Sequence, residues 1–160
     1  MPVQTSSDYD LAHGIGYEGG IADAGPNDTI TRTAEDSDIK YGRAVIEGTS
    51  DSQAELALTS GTTCLGITVD TTAGVANASD AGLYEENSSM TVLRAGRIFA
   101  VCEDGCSKDD PVYFRFASGT GTEIGALRTD ADTDTATLIT GAKWKTTAAA
   151  GGIAIVQLPW

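Results

Sequence analysis

The first residues whose types and spacing suggest chemistry are the glycines of "HGIGYEGGI", His13–Ile21. Gly14, Gly16 and Gly19 spell G-x-G-x-x-G, and Glu35, Asp36 and Asp38 follow about twenty residues on, where a dinucleotide-binding protein places its ribose-binding acid. That motif works only when a buried strand delivers the glycines and a helix follows, whose N-terminal N–H groups hold the pyrophosphate. Here the preceding "MPVQTSSDYDLAH" has only Val3, Leu11 and Ala12 as aliphatics. The following "GGIADAGPNDTI" carries Gly25-Pro26, which stops a helix. Asp8, Asp10, Glu18, Asp23 and Asp28 all precede the first basic residue, Arg32, and would repel a diphosphate. The glycines read as punctuation in an extended arm.

Other reactive constellations are equally thin. His13 is the only histidine, so any Ser/His/Asp or Cys/His set would have to use it, in the irregular arm and away from a rigid element. The run "DADTDTATL" from Asp130 begins like a calcium loop. Its sixth position is Thr135 rather than Gly and its twelfth is Gly141 rather than Glu, so it reads as a solvated acidic turn. Cys64, Cys102 and Cys106 do not form a C-x-x-C pair or a tetrahedral set. Cys64 and Cys102 sit in apolar runs as small buried hydrophobes, and Cys106 falls in a turn as a free thiol; a Cys102–Cys106 bridge stays open. The paired acids ("EDSD", "EDG", "KDD", "YEEN") all sit in predicted turns, where carboxylates are solvated. Arg94 and Arg97 flank Gly96 in an otherwise apolar strand. No catalytic residues, cofactor or metal are expected.

The elements that would position any site are short strands. Apolar runs are brief and bounded by Gly, Asp, Asn and Pro, without a sustained helical period. Strands are predicted at Tyr41–Glu47, Ala54–Leu58, Thr63–Val69, Met90–Glu103, Pro111–Ala117, Ile124–Leu127, Ala136–Lys145 and Ile153–Leu158. Between Arg97 and Phe116 the pattern suggests a hairpin, "RIFAV" and "PVYFRF" around a turn at Asp104-Gly105. Residues 1–31 form an acidic, Gly-rich extended arm, and 32–160 a single β domain. Residues 71–89 make a long polar connection in that domain, with a helical turn near Leu83–Glu86.

Composition bounds the partners. The chain has 160 residues with 23 acids against 10 bases, a formal charge of −13, which disfavours nucleic acid and anionic membranes. No window approaches a membrane-spanning length, and the N-terminus lacks the basic and apolar regions of a secretory signal. The sequons at Asn27, Asn77 and Asn87 then read as accidents of Ser/Thr-rich loops.

With those residues laid out, the chain resembles the structural cement, or capsid decoration, proteins of tailed bacteriophages. The similarity runs in ordered blocks: "GGIADAGPNDTITRTAE" (Gly19–Glu35), "IKYGRAVIEGT" (Ile39–Thr49), "CLGITV" (Cys64–Val69), "MTVLRAGRIFAVCEDGCSKDDPVYF" (Met90–Phe114) and "GAKWKTTAAAGGIAIVQLPW" (Gly141–Trp160). The resemblance implies an all-β fold, a jelly-roll-like sandwich or barrel of short antiparallel strands with an extended N-terminal arm. It implies a non-enzymatic protein made in the bacterial host cytoplasm and carried on the outer capsid surface of the virion. There it would bridge neighbouring copies of the major capsid protein. It points to a homodimer ahead of a homotrimer, and to an arm able to add a strand to a neighbour's open edge. Apolar anchors in the arm (Tyr9, Leu11, Tyr17 and Ile21) and the indoles of Trp144 and Trp160 are the candidate interface residues. Trp144 reads equally as core. The competing class is a phage-associated β-sandwich binding module, an adhesin or carbohydrate binder, which would need clustered aromatics or a calcium site.

Overall fold

The computed structural model describes residues 16–36, 38–71, 82–118 and 123–160. Tyr9, Leu11, His13 and Gly14 lie outside the described residues, as does most of the 71–89 connection.

The fold is all-β and is organised by one long strand. In chain order the strands are β1 (Asp28–Ala34), β2 (Ile39–Lys40), β3 (Ala44–Glu47), β4 (Gln53–Glu55), β5 (Gly66–Thr68) and β6 (Leu83–Tyr84). Then follow β7 (Ser89–Cys102), β8 (Pro111–Arg115), β9 (Leu127–Arg128), β10 (Ala136–Trp144) and β11 (Gly152–Leu158). β7 belongs to two closed rings of pairings. One runs β7–β5–β3–β4–β1 and returns to β7; the other runs β7–β11–β10–β8–β9 and returns to β7. Closure removes most open sheet edges, which suits a chain with short strands and few bulky residues.

A single strand serves both rings because its pleat is shifted midway. On one edge of β7 the register passes from Asp28↔Ala95 to Thr29↔Leu93, so Arg94 is the extra residue of a β-bulge. Gly96 follows with φ +127°, a conformation costly for a residue with a Cβ, and a Cβ there would also collide with Asn27. Before the bulge, Met90 and Val92 enter a small core with Ala34, Ile39, Val45, Ala54 and Tyr84. After it, Ile98, Ala100 and Cys102 enter a larger core around Phe114, Leu127, Trp144 and Leu158. Leu93 on β7, Ile67 on β5 and Ala44 on β3 belong to that larger core too, welding the two rings together.

Each edge of β7 is shared. Along one lie Gly19–Ala22 and then β1: Gly19 donates to the Phe99 carbonyl at 2.8 Å, Ala22 to the Arg97 carbonyl at 2.9 Å, and Ile21 bridges Ile98. Along the other lie β5, registered at Ile67↔Leu93 and Thr68↔Val92, and β11, registered from Gly152↔Cys102 to Leu158↔Gly96.

Three expectations need correction. The arm boundary expected at residue 31 falls inside β1, a full member of the first ring. The predicted hairpin does not form: β11 occupies the edge of β7 over seven residue pairs, and β8 pairs with β10 and β9 instead. The turn after β7 is tied to a different loop, Cys106 and Ala148 exchanging backbone bonds of 2.9 and 3.0 Å. The helical turn expected near Leu83 is replaced by β6, whose Leu83 and Tyr84 pair with Lys40 and Ile39 of β2.

Candidate functional site

The glycine motif is structural. Gly16 packs against the Phe99 ring, where a Cβ would come within 2.5 Å. Gly19 has φ +82°, and a Cβ there would meet Tyr41 Cβ at 2.7 Å and the Asp70 amide at 2.9 Å. Its N–H is spent on Phe99 and its carbonyl accepts from Asp70 at 2.8 Å, so the backbone donor a phosphate would use is taken. The adjacent Glu18 carboxylate accepts from Arg43 on the approach to β3, while Arg43 also reaches Glu123 at 2.7 Å. Burial pushes the Glu18 carboxyl up against the pull of Arg43. Hydrogen bonding from Lys40, then from Arg43, holds Glu123 below its ordinary value. These contacts fasten the start of the described chain to the first ring.

The acidic run from Asp130 is a solvent-exposed turn, as expected, that also clamps two buried arginines. Arg115, 2 % exposed, donates from Nε and Nη2 to Glu103 at 3.0 and 2.9 Å, from Nη2 to Asp132 at 2.7 Å and from Nη1 to Thr135 at 2.8 Å. Arg128 reaches Glu103 at 3.2 Å, Asp132 at 3.0 Å and Asp130 at 2.8 Å. Hydrogen bonding from Arg115 is the main reason the Asp132 carboxyl titrates below its ordinary value. The network holds Asp132, Thr133 and Asp134 at consecutive positive φ of 41°, 55° and 63°. Such residues cost about 1 kcal/mol or more each and persist where their surroundings enforce them. Asp130 and Asp132, at positions one and three of the abortive calcium loop, are thus directed at guanidiniums.

Two of the three thiols, Cys102 and Cys106, are buried and the third, Cys64, is half-buried. All three cysteines are free, and burial pushes the Cys64 thiol up to about 12. Cys106 lies in a turn, as expected, but under cover of the Ala148 segment. Among the described residues no group of three or more His, Cys, Asp or Glu is placed to hold a metal ion.

The candidate interface residues separate sharply. Trp144 is fully buried in the larger core, its indole N–H directed at the Arg128 carbonyl at 3.4 Å, so the core reading applies and it has no face to offer a partner. Trp160 is 73 % exposed, Tyr17 57 % and Ile21 41 %. Tyr17 and Ile21 lie on the arm side of β7. Sequence reasoning missed Leu58 and Leu138, also exposed. Leu138 is in β10, where a lone outward Leu in "ATLITGAKW" carries no signal until its neighbours are placed.

On the other edge of β7 is a notch. Between the end of β11 and the start of β5, a cleft of about 320 Å³ is lined by Gly61–Gly66, Arg94, Thr137–Thr140, Leu158 and Pro159. A second cleft, of about 560 Å³, adjoins it through Thr62–Leu65 and Arg94 and extends to Ile46 and Glu47. Trp160 follows directly on Pro159 at the rim. The lining brings Leu65, Leu138 and Leu158 together with the Arg94 guanidinium.

Closed β-rings, glycines used for packing and carboxylates clamped on buried arginines define an all-β class of protein. The sequence matches the model of the family described as structural cement protein (E217 gp24/Pam3 gp6) over residues 3–159, and the chain belongs to that family. Membership implies association with phage capsid proteins. No curated protein sequence is similar enough to count as a match. Among solved structures, a chain of the capsid of Myoviridae phage XM1 superposes with a TM-score of 0.74 at 16 % identity, covering 98 % of both chains. The N base of head fiber gp8.5 from bacteriophage phi29 gives a TM-score of 0.50 at 12 % identity, over 84 % of this chain and 95 % of that one. At those identities the likeness is one of fold.

Proposed function

We propose that this chain binds the outer surface of a phage capsid and bridges neighbouring copies of the major capsid protein, without enzymatic activity. The observation that best supports this reading is the distribution of exposed large apolar side chains on opposite edges of β7. Tyr17 and Ile21 lie on the arm side; Leu138 and Trp160 lie on the side of the notch. Two separate patches on a body with two fused cores suit bivalent attachment. Packed DNA strains the seams between capsomers, and a body gripping both sides of a seam must be released before they part. Each grip is modest, but holding two at once raises the effective concentration of the second. The charge of −13 suits an outward position, away from DNA.

The test is binding of the purified full-length chain to empty, expanded capsids, with Ile21→Asp and Trp160→Ala compared. Saturable binding that raises the shell's resistance to heat, weakened by each substitution separately, supports bridging. Binding lost with one substitution and untouched by the other supports attachment through a single patch. A failure of the intact chain to bind any capsid, with affinity for a glycan instead, overturns the reading in favour of an adhesin.

A further inference from the structure

The turn that follows β7 carries two cysteines that capsid binding does not use. Cys102 ends the strand in register with Gly152, and Cys106 bridges Ala148, so one turn, Ala148–Gly152, covers both. Between them Glu103, Asp104 and Gly105 fold the chain back. Gly105 sits at φ +85°, where a Cβ would meet the Ala150 amide at 3.0 Å. In a straight strand, residues four apart stand about 13 Å from each other. The fold-back instead sends both side chains into the same buried cluster, with the Cys102 thiol in hydrogen-bonding reach of the Cys106 sulfur.

We propose that Cys102 and Cys106 join in an intramolecular disulfide on oxidation, a staple that fixes the end of β7 against the second ring. The oxidant is a low-molecular-weight disulfide. Cys106, 5 % exposed where Cys102 is wholly buried, attacks as thiolate, forming a mixed disulfide and releasing one small thiol. The Cys102 thiolate then displaces the second small thiol as the S–S bond closes. Two protein thiols thus lose two protons and two electrons, and the small disulfide is reduced to two thiols. The bond disturbs little. Cys102 gives up its contact with Asp104 Oδ1 at 3.3 Å, while Asp104 keeps the Thr129 hydroxyl at 2.7 Å. The closed loop encloses Glu103 and Asp104, whose carboxylates hold Arg115, Arg128 and Thr129. Cys64 is no substitute partner, because it precedes β5, whose Ile67 pairs with Leu93, nine residues back along β7 from Cys102. Burial keeps both thiols protonated, so exchange is slow in the folded chain. A reducing cytoplasm leaves them as thiols, and the staple closes once a particle has left the cell. That timing rests on the virion location proposed above; the bond itself does not.

The full-length chain, refolded from urea in a glutathione buffer with the oxidised form in excess, tests the proposal. Trypsin cuts after Arg97 and Lys108, so Cys102 and Cys106 share the peptide Ile98–Lys108. After denaturation in the presence of an alkylating agent, that peptide should be two hydrogens lighter and unalkylated, while Cys64 is alkylated. The oxidised protein should melt about 5 °C above the same protein in excess dithiothreitol, the scale for a five-residue closed loop in a chain of this length. The difference should vanish in Cys106→Ser and persist in Cys64→Ser. Each variant is compared with itself in the two buffers, so any general loss of stability drops out. Alkylation of both cysteines in the peptide, or glutathione carried on either, overturns the bond. A bridged peptide from protein that melts no higher than its reduced form overturns the staple. Neither readout involves a capsid, so a failure of the bridging function leaves this result standing, and the reverse holds too.

Discussion

Replacing Arg115 by Leu tests whether the buried ion network, rather than hydrophobic closure alone, holds the second ring. The substitution deletes hydrogen bonds to Glu103, Asp132 and Thr135. Asp132 has 43 % of its side chain exposed and is rehydrated at little cost. Glu103 is different. Its side chain is only 20 % exposed, its Oε1 is buried with no hydrogen-bond partner in the protein, and its Oε2 is left with Arg128 at 3.2 Å. Breaking a buried pair from one side costs about 3–5 kcal/mol, and the surviving Arg128 contact reduces this to about 2–3 kcal/mol. For a chain of this size that lowers Tm by about 5–10 °C. The comparison is Arg97→Leu, which removes a pair with Asp23 at 3.2 Å whose side chains are 46 % and 39 % exposed. That pair is worth less than about 1 kcal/mol, and Tm should move by no more than about 3 °C. Calorimetry with urea titration reads both. The double variant Arg115→Leu/Glu103→Leu should recover part of the loss, because no carboxylate is then stranded. An Arg115→Leu variant no less stable than Arg97→Leu, or a double variant as unstable as the two single losses added, would refute the reasoning.

Other expectations follow from the same geometry. Gly19→Ala should destabilise by at least about 2 kcal/mol in urea titration, since it places a Cβ at φ +82° and 2.7 Å from Tyr41 Cβ; an unchanged midpoint would contradict the packing of the arm. Trp144→Ala should cost about 3–5 kcal/mol, whereas Trp160→Ala should leave folding within about 0.5 kcal/mol and act on binding alone. Acid stability has a definite sign. Glu123 and Asp132 titrate below their ordinary values of 4.5 and 3.8, so their contribution is complete above those values and is lost as pH falls through the depressed ones. Glu18 is raised and works the other way, giving a small gain as pH falls towards 4.5. Urea midpoints should hold or rise slightly down to about pH 4.5 and drop below it; a steady loss beginning near pH 6 would show that the carboxylates are not held as described.

Strands whose residues carry their own signal were legible in the sequence. The alternation in "MTVLRAGRIFAVCE" and "IAIVQL" marks β7 and β11, and Pro111 opens β8 where a missing N–H is tolerated. β1, "DTITRTA", was hidden because polar threonines dominate it; what makes it a strand is the edge of β7 it covers. β2 and β6 are two residues each, too short for any period, and exist because Ile39 and Tyr84 meet in the small core.

The sequence by itself determined the class: short apolar runs punctuated by Gly, Asp and Pro commit the backbone to strands and turns. One histidine in an acidic chain supplies no means of acid–base catalysis by histidine pairs. Partnership was decided only in three dimensions, since pairing across a sheet depends on which edges compete. β11 took the edge of β7 that a local hairpin would have used, and the bulge at Arg94 let one strand line two cores. The same competition left Arg94 and Ala95 without a strand on the notch side of β7, and Ile139–Ala142 without registered partners. Two tryptophans sixteen residues apart then took opposite fates, Trp144 enclosed by the second ring and Trp160 left outside it. Burial belongs to the closed ring rather than to the residue type.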